Sequence, residues 1–297
     1  MRGVFTAAFV AGLEEQLNGR LASYVDLIVG TSTGGLVALG LSAGRTGQEM
    51  LDLYRNHGDE IFSRGWPGRG LFMPKYSRTG LDRVLKEQFG EMRMKDLDVP
   101  TCISAYEAIS GQTRVFKTQH ASDLYWGHEQ YVWKVAAATS AAPTYFAPVQ
   151  FTEEDAHVDG GVWANNPSMI AITEAVRRFG RDLDDLRLLS VGTPTPRARI
   201  KSFAASQRMG WPRWARPALA LLQGGPAMGN HYQALHLLGG DHYLRVGDAS
   251  DAGAGIYKLD DVKACQPLAA SGHRAALDRW PDVRDLFQIP ATTGRPS

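Results

Sequence analysis

Ser32 sits at the centre of Gly30-Thr31-Ser32-Thr33-Gly34, a G-x-S-x-G pentapeptide. An apolar stretch from Tyr24 to Val29 precedes it, and a run of small and apolar residues from Leu36 to Ala43 follows. That order predicts a buried strand, a tight turn over 30–35 and a helix, the context in which a nucleophilic serine is displayed. The turn lifts the hydroxyl clear of the sheet, and the first N–H groups of the helix face the space where an oxyanion would form. Glycine is expected at 30 and 34 because side chains there would collide in so sharp a turn. The competing reading is an ordinary turn with a capping serine.

A serine hydroxyl is a weak nucleophile until a base takes its proton. The chain has eight histidines, none in a run that resembles a catalytic turn. His231, His236, His242 and His273 stay eligible because they follow the serine, as in a Ser-Asp-His triad on an α/β-hydrolase fold. That fold usually builds several strands before its nucleophile, whereas only 31 residues precede Ser32 here. The carboxylate alternative is Asp159, which ends a short extended piece, 156–158, and is followed by Gly160 and Gly161, residues that allow close backbone approach. Taken alone, such an Asp-Gly-Gly sequence also reads as a hairpin turn.

The surrounding pattern supplies the elements that would position these groups. Phe5, Phe9, Leu13 and Leu17 recur every four residues, with Thr6, Glu14, Glu15 and Asn18 opposite, and predict an amphipathic helix. The same start loosely imitates a secretory signal, with one arginine and a short apolar run. Helices are further expected over 79–89, 132–140 and 169–179, the last opened by Asn166 as N-cap and Pro167 at the first helical position. Strands are expected over 101–106, 113–118 and 186–191, and a long loop over 61–76. Alternation of this kind predicts a layered α/β sandwich around a mostly parallel sheet, with 1–297 forming a single domain.

Composition narrows the partners. Thirty-two basic and 31 acidic residues leave a formal charge of +1, which gives no ground for a nucleic acid polymer as partner. Cys102 and Cys265 are too far apart for a paired metal motif or a disulfide framework; the expectation is free thiols in a reducing, cytoplasmic setting, with no metal and no cofactor. No stretch approaches the roughly 18 apolar residues of a membrane span. From Arg197 to Gly240 there are six Arg and Lys and no acid, interleaved with Phe203, Trp211, Trp214 and the run 218–222. Such a segment suits a lid or a peripheral contact with an anionic lipid surface. Tryptophans packed inward under a solvated face are the alternative.

Four blocks, GTSTGG at 30–35, ATSAAPTYFAPV at 138–149, DGGVWANNP at 159–167 and SVGT at 190–193, resemble in content and order the patatin-like phospholipases, which share a core with the catalytic domain of cytosolic phospholipase A2. The resemblance implies a three-layer α/β/α sandwich, a dyad of Ser32 as nucleophile and Asp159 as general base without metal, and hydrolysis of phospholipid or other acyl-lipid esters through an acyl-enzyme. It also implies a GGGxRG loop after a first strand, of which only Arg2 and Gly3 match here. The first strand and part of the loop are therefore missing from the pattern. A start assigned too late is one expectation, and a chain of low activity the other, since losing an oxyanion donor costs on the order of 100- to 1000-fold. With Arg2 and Gly3, the groups assigned to the oxyanion side are Gly30, Thr33 and Gly34; Gly160 and Gly161 support the aspartate turn. Some bacterial relatives act in antiphage defence under a cyclic nucleotide, and a lipid-binding module without turnover is a further reading. The pattern leaves the head group and oligomeric state open.

Overall fold

The computed structural model describes residues 1–63, 73–194, 202, 207, 210–247 and 260–290; for 211–213 and 215–220 it describes the backbone only. The expected membrane-contact segment over 197–240 thus lies in large part outside the described residues, Phe203 and the side chains of Trp211 and 218–220 included.

Two short strands meet along one edge of a third. Strand β2 (Thr101–Glu107) pairs along nearly its whole length with β3 (Gln112–Lys117), antiparallel. Its other edge is shared. β1 (Ile28–Gly30) lies parallel against Thr101–Ile103, and β4 (His157–Asp159) lies antiparallel against Ala105–Glu107. The predicted strand over 24–29 is therefore cut short, and Leu21–Tyr24 forms a 3-10 turn instead. The ladder ends at Pro100, which has no N–H to give and accepts only from Ile28. The sheet is mixed rather than mostly parallel. A second pair, β5 (Leu188–Val191) with β6 (Tyr243–Val246), is parallel.

Helices cover this framework: α1 (Gly3–Leu17), α2 (Thr33–Ser42), α3 (Gly47–Ile61), α4 (Arg78–Phe89), α5 (Val132–Thr139), α6 (Gly161–Ala164), α7 (Ser168–Phe179), α8 (Trp211–Leu238) and α9 (Cys265–Leu286). The result is a central sheet flanked by helices, the α/β architecture expected from the sequence. One hydrophobic core takes in residues from Met1 to Val283. A smaller cluster of Ile172, Ala234, Leu238 and Tyr243 ties α7 and α8 to β6.

The first helix departs from its predicted character. Every residue from Gly3 to Leu13 is buried, Thr6 included, and polar exposure begins only in its last turn. Thr6 meets its hydrogen-bonding need by donating to Gly192 O at 3.2 Å. The helix is enclosed because glycines on its neighbours admit its backbone: a Cβ at Gly272 of α9 would sit 2.3 Å from Phe5 O, and one at Gly47 of α3 2.4 Å from Ala11 N. Asn166 also differs from expectation. The N-cap is Pro167, yet the Asn166 Oδ1 still accepts the Ser168 N–H at 3.1 Å, one position into the helix.

Between the two sheets the open edges of β1 and β5 face a common cleft. Ile28 gives its N–H to Pro100, so by the alternation of a parallel ladder Val29 turns its peptide groups the other way. Leu188 and Gly192 donate toward β6, so Leu189 and Val191 turn theirs away from it. The cleft has a volume of about 1520 Å³ and runs from Ser32 and Asp159 past Ile28, Leu41, Phe179 and Leu188. Among the described residues no strand pairs with the free edge of β1.

Because α1 is walled in, its large side chains hold the core. Phe9→Ala is expected to lower unfolding free energy by about 3–5 kcal/mol, measured by urea denaturation, since Phe9 is wholly buried and its neighbours cannot collapse into the void.

Candidate active site

The shared edge of β2 brings Ser32 to Asp159. β1 ends at Gly30 opposite Ile103 and β4 ends at Asp159 opposite Ala105, two residues apart on the same strand. The strands approach from opposite ends, so the chain leaving β1 and the last side chain of β4 converge. Ser32 Oγ donates to Asp159 Oδ2 at 2.6 Å across 127 positions of sequence.

Ser32 holds φ 56 and ψ −130, a conformation rarely adopted by a residue with a side chain. It is fixed from three directions. Its N–H donates to Thr139 Oγ1 at 2.8 Å. Its C=O accepts from Gly35 and Leu36 as α2 begins. The preceding residue, Thr31, donates its hydroxyl to Ala164 O at 2.7 Å and lies 2.7 Å from the Ser104 hydroxyl, joining the turn to α6 and β2.

Asp159 is buried, and its backbone N–H donates to Ala141 O at 3.0 Å. Oδ1 accepts the Gly161 N–H at 2.7 Å, leaving Oδ2 for Ser32. Burial pushes its pKa up to about 6, against the opposing pull of the bonds from Ser32 and Gly161. Trp163 Nε1 donates to Ala105 O at 2.8 Å and pins α6 over the strand. The Asp-Gly-Gly sequence is thus a strand end running into a short helix, and the hairpin alternative does not apply.

The glycines divide into two kinds. A Cβ at Gly30 would lie 2.6 Å from Gly35 Cα, and one at Gly160 would lie 2.2 Å from Ser104 Oγ and 2.6 Å from its backbone. Gly34, for which a collision was expected, has nothing within 4 Å of an added Cβ. It borders the open cleft, so crowding does not account for glycine at this position. Thr33 and Gly34 open α2, and their N–H groups fall among those a helix leaves without an internal acceptor. Gly3 fits against them: a Cβ there would meet Thr33 at 2.8 Å and the Tyr54 hydroxyl at 2.7 Å. Arg2 lines the same cleft; burial lowers its pKa, while Tyr145 and Asp260 nearby work in the opposite direction.

No histidine lines the cleft among the described residues. His231 lies 3.1 Å from the Tyr243 hydroxyl, and His157 packs among Phe116, Trp126 and Phe151. Cys102, His120 and Glu174 bring metal-ligand atoms within 4.8 Å of one another, but Lys117 and His120 already engage the Glu174 carboxylate. That cluster is a buried ion-pair network. Sequence reasoning missed Thr31, Ser104, Thr139 and Ala141. For Thr31, Ser104 and Thr139 the local signal was a small hydroxyl residue inside an apolar run, which identifies a polar group needing a partner without naming it; Ala141 acts through its backbone C=O and gave none.

The fold is an α/β framework that brings a serine and a buried carboxylate together, and comparison with known proteins gives the family. The model of the patatin-like phospholipase family matches residues 1–172, and the chain belongs to that family. It is 32% identical to a cGAMP-activated phospholipase of Pseudomonas aeruginosa, over 97% of this chain and 87% of that protein. A cGAMP-activated phospholipase of Vibrio cholerae is 34% identical, over 98% and 92%. A potato protein named "Probable inactive patatin-3-Kuras 1" is 28% identical, over 83% and 75%.

Two outcomes follow from the geometry. Gly30→Ala is expected to destabilise the fold by several kcal/mol in urea denaturation, whereas Gly34→Ala should change it by less than about 1 kcal/mol, the helix gaining from alanine what it loses elsewhere. Asp159→Asn should melt at higher temperature than the wild type at pH 8. A carboxyl raised to about 6 stabilises the fold below its unfolded value near 3.8 and loses that contribution as pH rises through 6. Thermal melts of the two proteins should therefore converge near pH 4.

Proposed function

We propose that this chain is a serine lipid acyl hydrolase that cleaves fatty-acyl esters with Ser32 as nucleophile and Asp159 as general base. The observation that carries the reading is the 2.6 Å hydrogen bond from Ser32 to a buried Asp159, on a cleft wall with no histidine among the described residues. As Oγ attacks the ester carbonyl carbon, its proton passes to Asp159 Oδ2. The N–H groups of Thr33 and Gly34 and the positive end of α2 receive the developing oxyanion. Collapse breaks the ester C–O bond, and Asp159 returns the proton to the leaving alcohol. In the second half, Asp159 takes a proton from the water that attacks the acyl-enzyme carbonyl, and gives it back to Ser32 Oγ as the acyl C–Oγ bond breaks and the fatty acid leaves.

Family membership and the long, largely apolar cleft beside Ser32 support an acyl-lipid substrate. The larger hydrophobic core, which takes in residues from Met1 to Val283, supports one domain over 1–297. Two unpaired cysteines, Cys102 and Cys265, are in keeping with a reducing, cytoplasmic setting. No helix among the described residues is long and apolar enough to cross a membrane, so access to phospholipid is assigned to a peripheral encounter. A second element of the reading is activation by cGAMP, favoured because two relatives carrying that activity in their names match 97% and 98% of this chain.

The test is fatty-acid release from mixed phospholipid vesicles, with and without cGAMP. Release should rise on adding cGAMP and fall by on the order of 1000-fold or more in both Ser32→Ala and Asp159→Asn. Single His→Ala variants at 231, 236, 242 and 273 should retain activity. kcat/KM should decline below pH 6 as Asp159 gains a proton. Activity surviving Asp159→Asn would overturn the base assignment, and release indifferent to cGAMP would overturn the activation.

A further inference from the structure

The block around Thr139 has no part in the mechanism above, yet it touches both reacting residues. Thr139 ends α5 and is fully buried. Its Oγ1 accepts the Ser32 N–H at 2.8 Å, and two residues later Ala141 O accepts the Asp159 N–H at 3.0 Å. One short stretch of chain therefore grips the backbone of the nucleophile with its first residue and the backbone of the base with its third.

We infer that Thr139 is a positioning residue for catalysis, holding the Ser32 peptide in its left-handed conformation so that Oγ meets Asp159. The inference rests on the reading of Ser32 and Asp159 as nucleophile and base. A non-glycine residue at φ 56 and ψ −130 returns to an extended or helical conformation unless its surroundings prevent it. The Ser32 N–H cannot turn to the helix that follows, because Ser32 precedes the first residue of α2. Its acceptor must come from elsewhere in the chain, and Thr139 Oγ1 supplies it. Rotation of that peptide would swing Oγ off the Asp159 Oδ2 it now meets at 2.6 Å.

The side chain is matched on both branches. Its Cγ2 lies where a Cβ on Gly35 would come within 2.8 Å, so the methyl fills the space that glycine leaves at the first turn of α2. The hydroxyl faces the turn and the methyl locks its rotamer. Valine keeps the shape and removes the acceptor; serine keeps the acceptor and removes the methyl. The bond also commits the Ser32 N–H, leaving the N–H groups of Thr33 and Gly34 for the oxyanion.

The experiment compares wild type, Thr139→Val and Thr139→Ser by two readouts. Hydrogen exchange of the Ser32 amide reports the bond itself. The second-order rate of labelling by a fluorophosphonate probe, in which Ser32 Oγ bonds to phosphorus, fluoride leaves and the proton passes to Asp159, reports nucleophile alignment without dependence on lipid or activator. Ser32→Ala is the unlabelled control. Thr139→Val should exchange the Ser32 amide faster and label on the order of 10- to 100-fold more slowly, with Thr139→Ser close to wild type in both.

Protection and labelling unchanged in Thr139→Val would overturn the inference. So would equal loss in the valine and serine variants, which would assign the residue to packing alone. A wild type whose Ser32 amide is protected but which is never labelled would instead remove Ser32 as nucleophile, and the catalytic role of Thr139 with it.

Discussion

Everything in the site depends on a carboxylate buried without a cation beside it. Asp159 has one hydroxyl and one peptide N–H for its two oxygens and, among the described residues, no arginine or lysine at hydrogen-bond distance. Had a cation been paired with it, the pKa would fall and the group would be a poor base. Had it been buried without the two hydrogen bonds, its pKa would be raised further. Pushed up to about 6, its pKa suits the general-base role proposed for it near neutral pH. Removing the histidine from a serine hydrolase therefore demands a particular degree of burial rather than a new chemical group.

That burial is a consequence of topology. A strand edge can satisfy two partners in series only if each is short, and β1 and β4 have three residues apiece. Their shortness is what lets both chain reversals, one into α2 and one into α6, occur over the same point of β2. Ser104 stands between the two pairing segments and bonds Thr31, so the point where the strands abut is stitched rather than left open. The glycines at 30 and 160 then follow from close approach, and the freedom at 34 follows from its place on the open side.

These two levels were unequally legible in the sequence. The turn around Ser32 and the placement of Asp159 at a strand end are local facts, carried by glycines and apolar runs within a few residues, and both were readable. The pairing of β1 and β4 along one edge of β2 was not, because register depends on contacts more than 50 residues apart that no local pattern encodes. The first helix was read as amphipathic from a four-residue repeat, but Thr6 turned out to be buried with a bond to Gly192, 186 positions away. A lone threonine on a helix does not announce whether its hydroxyl faces water or a distant carbonyl. The same limit hid Thr139, whose block was recognised as a family signature without any role attached.

Holding a charge in such a place works against the stability of the fold, and the density of bonds around the site answers that cost. Ionised Asp159 is disfavoured relative to its protonated form, since burial pushes its pKa up to about 6. The strained Ser32 backbone costs on the order of 1–3 kcal/mol. Left to relax, either group would move: the carboxylate toward water, the serine toward an ordinary conformation. Movement is resisted because α6 accepts the Thr31 hydroxyl, while the end of α5 and the residue two positions beyond it accept the backbone N–H groups of Ser32 and Asp159. For either to relax, the stretch from Thr139 to Ala141 must shift, and it is set between the buried Ala138 and Ala141, with Ala164 of α6 buried beside Thr31. The reactive geometry is thus maintained by the cost of disturbing its surroundings, which lets a site with only two reacting side chains keep them at 2.6 Å.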